Sequence, residues 1–272
     1  MPMVCLVSGY LPYYSVMKRT PPKLISTDFD GTLVHHDYEP EEFRPLWDYI
    51  AYLQQEHGVL WAINTGRDLD FTLYGLEEYQ VTAKPDFLLT MEREIHLPGE
   101  DEETDNWIPH LAWNERCQED HLALEQKIIP QLQSFHHYLE QETGANPVIE
   151  GGRFVGIEAS TEQELAEIVL RMEDIFAAAA EFSYQRNGIY LRFCHADYDK
   201  GATLRELSRM LSLEASQVCA AGDNYNDLAM LDPSTAQYLI APDNAIPEVK
   251  EALRQHRGIL SDEVAGIGLL QA

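Results

Sequence analysis

Short apolar runs alternate with longer amphipathic stretches over residues 24–90. The runs at 24–28, 59–63 and 87–90 have strand length, and helical patterns over about 41–57 and shortly after Arg67 lie between them. Strands separated by helices predict a parallel sheet joined by right-handed crossovers. The same pattern resumes near the C-terminus. Leu204, Leu207 and Leu211 mark a helix over 200–213, residues 218–221 read as a buried strand, and 238–240 read as another. A helix over 246–256 then opens with Pro247 in its first turn, where the missing N–H is no loss.

Between these blocks the period changes. Leu124, Ile128, Leu132, Phe135 and Leu139 stripe one face of a helix over about 119–140, with Pro130 expected to kink it. A hairpin over 148–158 turns at Gly151-Gly152. Thr161 and Glu164 then form a capping box for a helix striped by Leu165, Ile168, Met172 and Ile175. A second hairpin over 182–194 turns at Asn187-Gly188, a pair favoured in two-residue turns. A helix and hairpin occurring twice predict an antiparallel sheet covered by two helices, an α+β unit inserted into an α/β core. The expected division is an N-terminal extension over 1–22, a Rossmann-like parallel-sheet core from 23–95 and 197–272, and the inserted unit over 96–196.

The 272 residues are 45% hydrophobic, ample for a packed core. A formal net charge of -27, with no basic patch along the chain, argues against a nucleic acid or an anionic membrane face as partner. It favours attraction of divalent cations. Much of the acid, including the run at 100–103, reads as solvated surface. Cys5, Cys117, Cys194 and Cys219 are widely spaced and read as reduced thiols of a cytoplasmic protein. No apolar run approaches the ~20 residues that cross a bilayer. In residues 1–22 the basic pair Lys18-Arg19 follows the apolar part, the reverse of a secretory signal, so the segment reads as a poorly ordered extension with Met17 an alternative start.

The chemistry gathers where the core strands end. Asp28 and Asp30 are one residue apart, so in extended chain both project to one side and can share a cation or divide nucleophile and acid work. An Asp-rich turn accounts for that pair equally well. After the second strand, the Thr65 hydroxyl and the free N–H groups of Thr65-Gly66-Arg67 suit a phosphoryl oxygen, although alone they read as an ordinary strand-to-helix turn. Lys200 opens a helix, where a cation is disfavoured unless an anion is near. Gly222-Asp223-Asn224-Tyr225-Asn226-Asp227 follows a buried strand directly. Its carboxylates at spacing four offer hard oxygen ligands without imidazole or thiolate, a set that favours Mg²⁺.

In this order the segments D-x-D-G-T-L, T-G-R, Lys-Gly and G-D-x-x-N-D resemble the haloacid dehalogenase superfamily of phosphohydrolases, over nearly all of the chain from Lys23 onward. The inserted unit resembles that family's C2-type cap, found in Cof-like sugar phosphatases, sucrose-phosphate phosphatases and phosphomannomutases. The resemblance implies that Asp28 is the nucleophile, that Asp30 protonates the leaving alcohol and then activates water, and that Thr65 and Lys200 hold the phosphoryl oxygens. It implies Mg²⁺ at Asp28, the Asp30 carbonyl and Asp223, with Asp227 in the same metal cluster, and Gly66, Arg67 and Asn226 around it.

Specificity is expected from the cap, because a phosphatase core recognises little beyond phosphate. Tyr190 and Arg192 alternate with apolar neighbours and face away from the cap core, Arg186 and Asn187 sit at their turn, and Arg153 at the other turn; a solvated sheet face explains each of them as well. Where many Cof-like proteins carry Asn-Gly-Ala after the third strand, this chain has Thr90-Met91-Glu92-Arg93-Glu94-Ile95, more like the sucrose-phosphate phosphatase branch. His35 and His36 read as loop residues. The expected activity is Mg²⁺-dependent hydrolysis of a small phosphorylated metabolite, a sugar phosphate foremost. A sugar phosphomutase and a non-catalytic phosphosugar-binding regulator are the alternatives, and the oligomeric state stays open.

Overall fold

A computed structural model describes residues 21–99 and 106–272. The expectations for 1–20, including Cys5 and the Met17 start, and for the acidic run at 100–103 lie outside the described residues. The elements run β1 (Leu24–Thr27), α1 (Arg44–His57), β2 (Leu60–Asn64), α2 (Leu69–Glu78), β3 (Phe87–Thr90), β4 (Glu94–Pro98), β5 (Trp107–Pro109) and α3 (Leu111–Glu142). They continue as β6 (Asn146–Glu150), β7 (Arg153–Glu158), α4 (Glu162–Leu170), α5 (Glu173–Ala178), β8 (Phe182–Asn187) and β9 (Tyr190–His195). The chain closes with α6 (Lys200–Met210), β10 (Val218–Ala221), β11 (Tyr238–Ala241), α7 (Pro247–His256), β12 (Ile259–Leu260) and α8 (Ala265–Gln271).

The large sheet has the order β12-β11-β10-β1-β2-β3-β4-β5. From β12 to β3 all neighbours are parallel, as the alternation of apolar runs and helices requires. β1 lies between β10 and β2, so the strand order reverses direction beside it, and open α/β sheets place ligands at the carboxyl ends of such strands. Both sheet faces are covered. Trp47, Trp61, Phe29 and Ile63 pack on one side, and Leu204, Leu207, Val249 and Leu253 on the other. Each such side chain taken fully from water contributes about 1.5–3 kcal/mol.

Antiparallel β4 and β5 extend this sheet beyond residue 95, past the point where the sequence places the start of the insertion. β12 and α8 also escaped the apolar pattern, being too short to show a period.

The second sheet, β6-β7-β9-β8, is antiparallel, and its cluster is formed by the two helical stripes read from the sequence. Three details differ from expectation. α3 starts at Leu111 rather than near 119 and runs through Pro130 without interruption. Its first turns carry Trp113 and Cys117, which pack with the large sheet, whereas Leu124 to Leu139 pack with the small one. One helix therefore serves two cores, and the stripe of the second hides its true beginning. The Leu165–Ile175 stripe is all buried, but the helix breaks at Arg171-Met172 into α4 and α5. The β8–β9 loop is Gly188-Ile189, one residue later than expected, because Asn187 still pairs with Tyr190. Gly188, at φ 55°, supplies the left-handed backbone there.

Where β9 leads back towards α6, His121 of α3 takes a fixed neutral form. Its Nδ1 donates to the Cys117 carbonyl (2.7 Å), and its Nε2 accepts from the His195 amide (3.2 Å). Burial first, then the charge of Arg93, pushes its pKa from 6.5 down to about 4. A depressed histidine pKa contributes stability above pH 6.5 that is lost as pH falls towards 4, because the unfolded chain takes up the proton first. The shift corresponds to about 3 kcal/mol. Unfolding midpoints from pH 7.5 to 4 should therefore fall less steeply for His121→Gln than for the parent. Parallel curves would remove His121 as the source.

Candidate active site

Asp28 follows β1 and Asp223 follows β10, and the parallel pairing Thr27↔Ala221 brings the two strand ends side by side. The Asp28 amide donates to the Ala221 carbonyl (2.9 Å), which extends that register into the site. Two glycines make the approach possible. A Cβ on Gly31, which sits at φ +82°, would lie 2.5 Å from Asp223 Oδ2, and one on Gly222 would lie 2.4 Å from Asp227 Cβ. The Asp223 carboxylate therefore rests against the loop after Asp28, with Oδ1 accepting from Thr32 Oγ1 (2.7 Å).

Lys200, at the first turn of α6, is wholly buried, and its Nζ donates to Asp28 Oδ1 (2.6 Å) and Asp227 Oδ1 (2.7 Å). That is the anion its position demanded. Burial works against the ammonium, but Asp227, Asp28 and Glu92 together outweigh it and raise its pKa. The acids feel the reverse. Burial, then the charge of Asp227, holds the Asp28 carboxyl well above its ordinary value, and the same two causes push Asp223 up to about 7.

Among the described residues, oxygens of Asp28, Asp223 and Asp227 lie within 4.8 Å of one another. One lysine does not balance three buried carboxylates, and the Asn226 Oδ1 acceptor nearby is buried without a partner. The donor set therefore fits a hard divalent cation. Asp227 is committed to support: Oδ2 accepts from the amides of Asp223 (2.8 Å) and Asn224 (2.9 Å), while Oδ1 holds Lys200.

Thr65 is buried at the end of β2, its Oγ1 accepting from the Arg67 amide (3.2 Å), so the hydroxyl hydrogen remains to donate. Arg67 does not reach into this cluster. Its guanidinium lies over Phe29 and Phe71 and holds Asp30 through two bonds of 2.7 and 2.5 Å. Asp30 is half exposed at the mouth of the cleft.

The cleft itself measures about 350 Å³. Its floor includes Asp28, Asp30, Thr65, Gly66, Arg67 and Asn226, and its roof includes Asn187, Tyr190 and Arg192 from the β8–β9 hairpin. The hairpin meets the core directly, with the Gly188 amide donating to Asn224 Oδ1 and Arg186 stacked over Tyr225 at 4.2 Å. Arg186 thus joins the hairpin to the core outside the cleft. Arg153 lies away as well, paired with Glu125 (3.1 Å), in a neighbouring cavity of about 80 Å³ that is too small for a sugar. His35 and His36 stack on each other in a loop, paired with Asp37.

Six residues lining the cleft were not singled out as candidates from the sequence, and three of them bear on the roof and floor. Glu150 grips Arg192 with two bonds (3.0 and 2.7 Å), Gln185 lies beside it in the lining, and Glu92 closes the floor. Strand parity makes Gln185 readable as the cross-strand partner of Arg192, but no local signal marks the other two.

Comparison with known proteins identifies the family and the fold. A family model described as haloacid dehalogenase-like hydrolase matches residues 120–262, just over half of the chain. Glucosylglycerol-phosphate synthase of Pseudomonas anguilliseptica is 25% identical over 252 residues, which are 90% of this chain but only 29% of that protein. YxeH, an inferred phosphatase of Bacillus subtilis, is 24% identical over 258 residues, 85% of this chain and 90% of that one. Among solved structures, the sucrose-phosphatase of Synechocystis sp. PCC6803 in complex with sucrose and phosphate superposes with a TM-score of 0.70 at 18% identity, covering 92% and 96% of the two chains. YhjK of Bacillus subtilis, a haloacid dehalogenase-like hydrolase protein, gives 0.63 at 18% identity, covering 93% and 90%. At these identities the structures speak for the fold. That fold has an α/β core with a mainly parallel sheet and a cap.

Proposed function

We propose that this chain, which belongs to the haloacid dehalogenase-like hydrolases, is a Mg²⁺-dependent phosphatase of a sugar phosphate or similar small metabolite. The observation that carries the reading is the buried Asp28 carboxylate held by Lys200 beside Asp223, with Asp28 lining a sugar-sized cleft. Asp28, the Asp30 carbonyl and Asp223 would hold the metal, with Asn226 and Asp227 orienting them. A bound divalent cation would neutralise phosphoryl charge as a Lewis acid.

The chain's own residues then act as follows. A carboxylate approaches a phosphate dianion only where the charge of both is offset, which is the role of Lys200 and of the Thr65 hydroxyl. Asp28 forms a bond to phosphorus as the ester P–O bond breaks, and the departing alkoxide takes a proton from Asp30. Asp30 next takes a proton from water, whose oxygen attacks phosphorus and releases Asp28 and inorganic phosphate. Asp30 enters the first step protonated, so it donates once released from Arg67, whose two bonds hold the ionised carboxyl at the cleft mouth.

The roof residues Asn187, Tyr190, Arg192 and Glu150 offer donors and acceptors suited to hydroxyls, and the synthase and sucrose-phosphatase relatives point to the same class of substrate. We read residues 96–196 as the cap that closes over it. With Cys117, Cys194 and Cys219 free, buried and pushed up to about 12 by burial, we place the protein in the cytoplasm. Among the described residues no helix is long and apolar enough to cross a membrane.

Phosphate release from a panel of sugar phosphates including sucrose 6-phosphate tests the reading. Release should require Mg²⁺ and fall to background with a chelator. Phosphoryl transfer that appears only with a sugar bisphosphate would indicate a mutase, and metal-independent release would remove the proposed cation.

A further inference from the structure

Glu92 is placed at some conformational cost. Met91 and Glu92 are consecutive non-glycine residues at φ 53° and 62°, in the left-handed region. Strain of this kind persists where surrounding contacts over-determine it, and it concentrates at functional sites. Here the turn is stapled by Met91 N–H to the Arg67 carbonyl (2.8 Å), by Glu92 N–H to the Thr65 carbonyl (3.0 Å), and by Thr203 Oγ1 to the Glu92 carbonyl (3.1 Å).

The consequence is a nearly buried carboxylate between the Thr65 turn, Asn226 and the roof. Oε1 accepts from Asn226 Nδ2 (2.6 Å) and would lie 3.4 Å from a Cβ on Gly66. Among the described residues nothing donates to Oε2, and the side chain lines the cleft opposite Gln185, Tyr190 and Arg192. Burial raises the Glu92 pKa, with Lys200 and the Asn226 hydrogen bond acting against it. In its ionised form the carboxylate is an acceptor with one oxygen unengaged, beside the place where a phosphoryl group would sit, and it can serve a hydroxyl but repels a second anion.

We infer that Glu92 is a specificity-determining residue that accepts a hydrogen bond from a neutral hydroxyl next to the ester oxygen and disfavours esters bearing a carboxylate or second phosphate there. The inference rests on the phosphatase reading. A site built to hydrogen-bond a hydroxyl discriminates strongly against analogues that lack it, because its own polar group is then left unpaired.

The test compares kcat/KM for the best sugar phosphate with that for p-nitrophenyl phosphate, which has no such hydroxyl. In Glu92→Gln the ratio should fall by about 10-fold or more, through KM of the sugar phosphate, and phosphate esters carrying a carboxylate should gain relative to neutral ones. Glu92→Gly relieves the left-handed backbone, so its melting temperature should equal or exceed the parent's while selectivity is still lost. An unchanged ratio in both variants, whether activity falls equally on both substrates or on neither, overturns the inference. Calorimetric titration of the same two esters into Asp28→Asn, with and without Glu92→Gln, reads the selectivity without turnover. Loss of sugar-phosphate selectivity there, in a protein whose parent releases no phosphate, would retain Glu92 and reject the phosphatase reading. Equal binding in both would reject the role of Glu92 alone.

Discussion

Asp28→Asn should lower phosphate release by about 10⁴-fold or more while leaving the fold intact, since removing the nucleophile of a covalent mechanism costs nearly the whole chemical step. The amide keeps an oxygen for the Lys200 ammonium, so the bond now 2.6 Å long can persist. Its effect on stability has the opposite sign. Burial and the Asp227 charge raise the Asp28 pKa, which means that the ionised carboxylate is a cost to the folded state near neutral pH. In chelator, the asparagine variant should melt at the same temperature as the parent or above it. Residual activity within about tenfold of the parent would exclude Asp28 as the nucleophile.

Lys200→Met should do the reverse for stability and be nearly as damaging to activity. The methionine fills much of the space but leaves Asp28 and Asp227, two buried carboxylates, without their shared cation. Breaking one partner from a buried ionic cluster destabilises by about 3–5 kcal/mol, and loss of a preorganised cation at the phosphoryl site costs about 10²–10³ in kcat. The destabilisation should shrink as pH falls from 8 to 5, because protonated carboxyls no longer need the ammonium. Urea unfolding of both proteins in chelator across that range measures it. A difference that is constant with pH would mean that lost packing, not lost charge, is responsible.

The opposed signs of these two substitutions reflect one arrangement, an excess of buried carboxylate around a single ammonium. Its ingredients were legible in the chain. Asp28, Thr65, Lys200 and Asp223 each lie at the end of a strand or the start of a helix whose residue pattern is local, and the order of these elements predicts a parallel sheet that brings them to one edge. Lys200 in particular was marked by a conflict with its own helix dipole, which the two aspartates resolve.

Other features had no local trace. The first turns of α3 look like a loop in the sequence because their partners, Tyr198 and the large sheet, belong to a different core from the stripe that follows. Arg67 is read beside Thr65-Gly66 either as a phosphate ligand or as support around the cluster, and only the fold shows that its planar fork holds the Asp30 carboxylate 37 residues earlier. Glu92 meets Asn226 across 134 residues, and Glu150 meets Arg192 across 42.

By itself, then, the sequence determined the α/β class, the two-sheet organisation and the gathering of acids and a lysine at one sheet edge, because backbone periodicity and motif spacing are properties of neighbouring residues. Only the tertiary structure decided which charges pair, which oxygens of the acids are already engaged and which side chains face the cleft. Those outcomes depend on strand register and on burial between distant segments, and a carboxylate's electrostatic role is set by what lies within a few ångströms of it rather than by what precedes it in the chain.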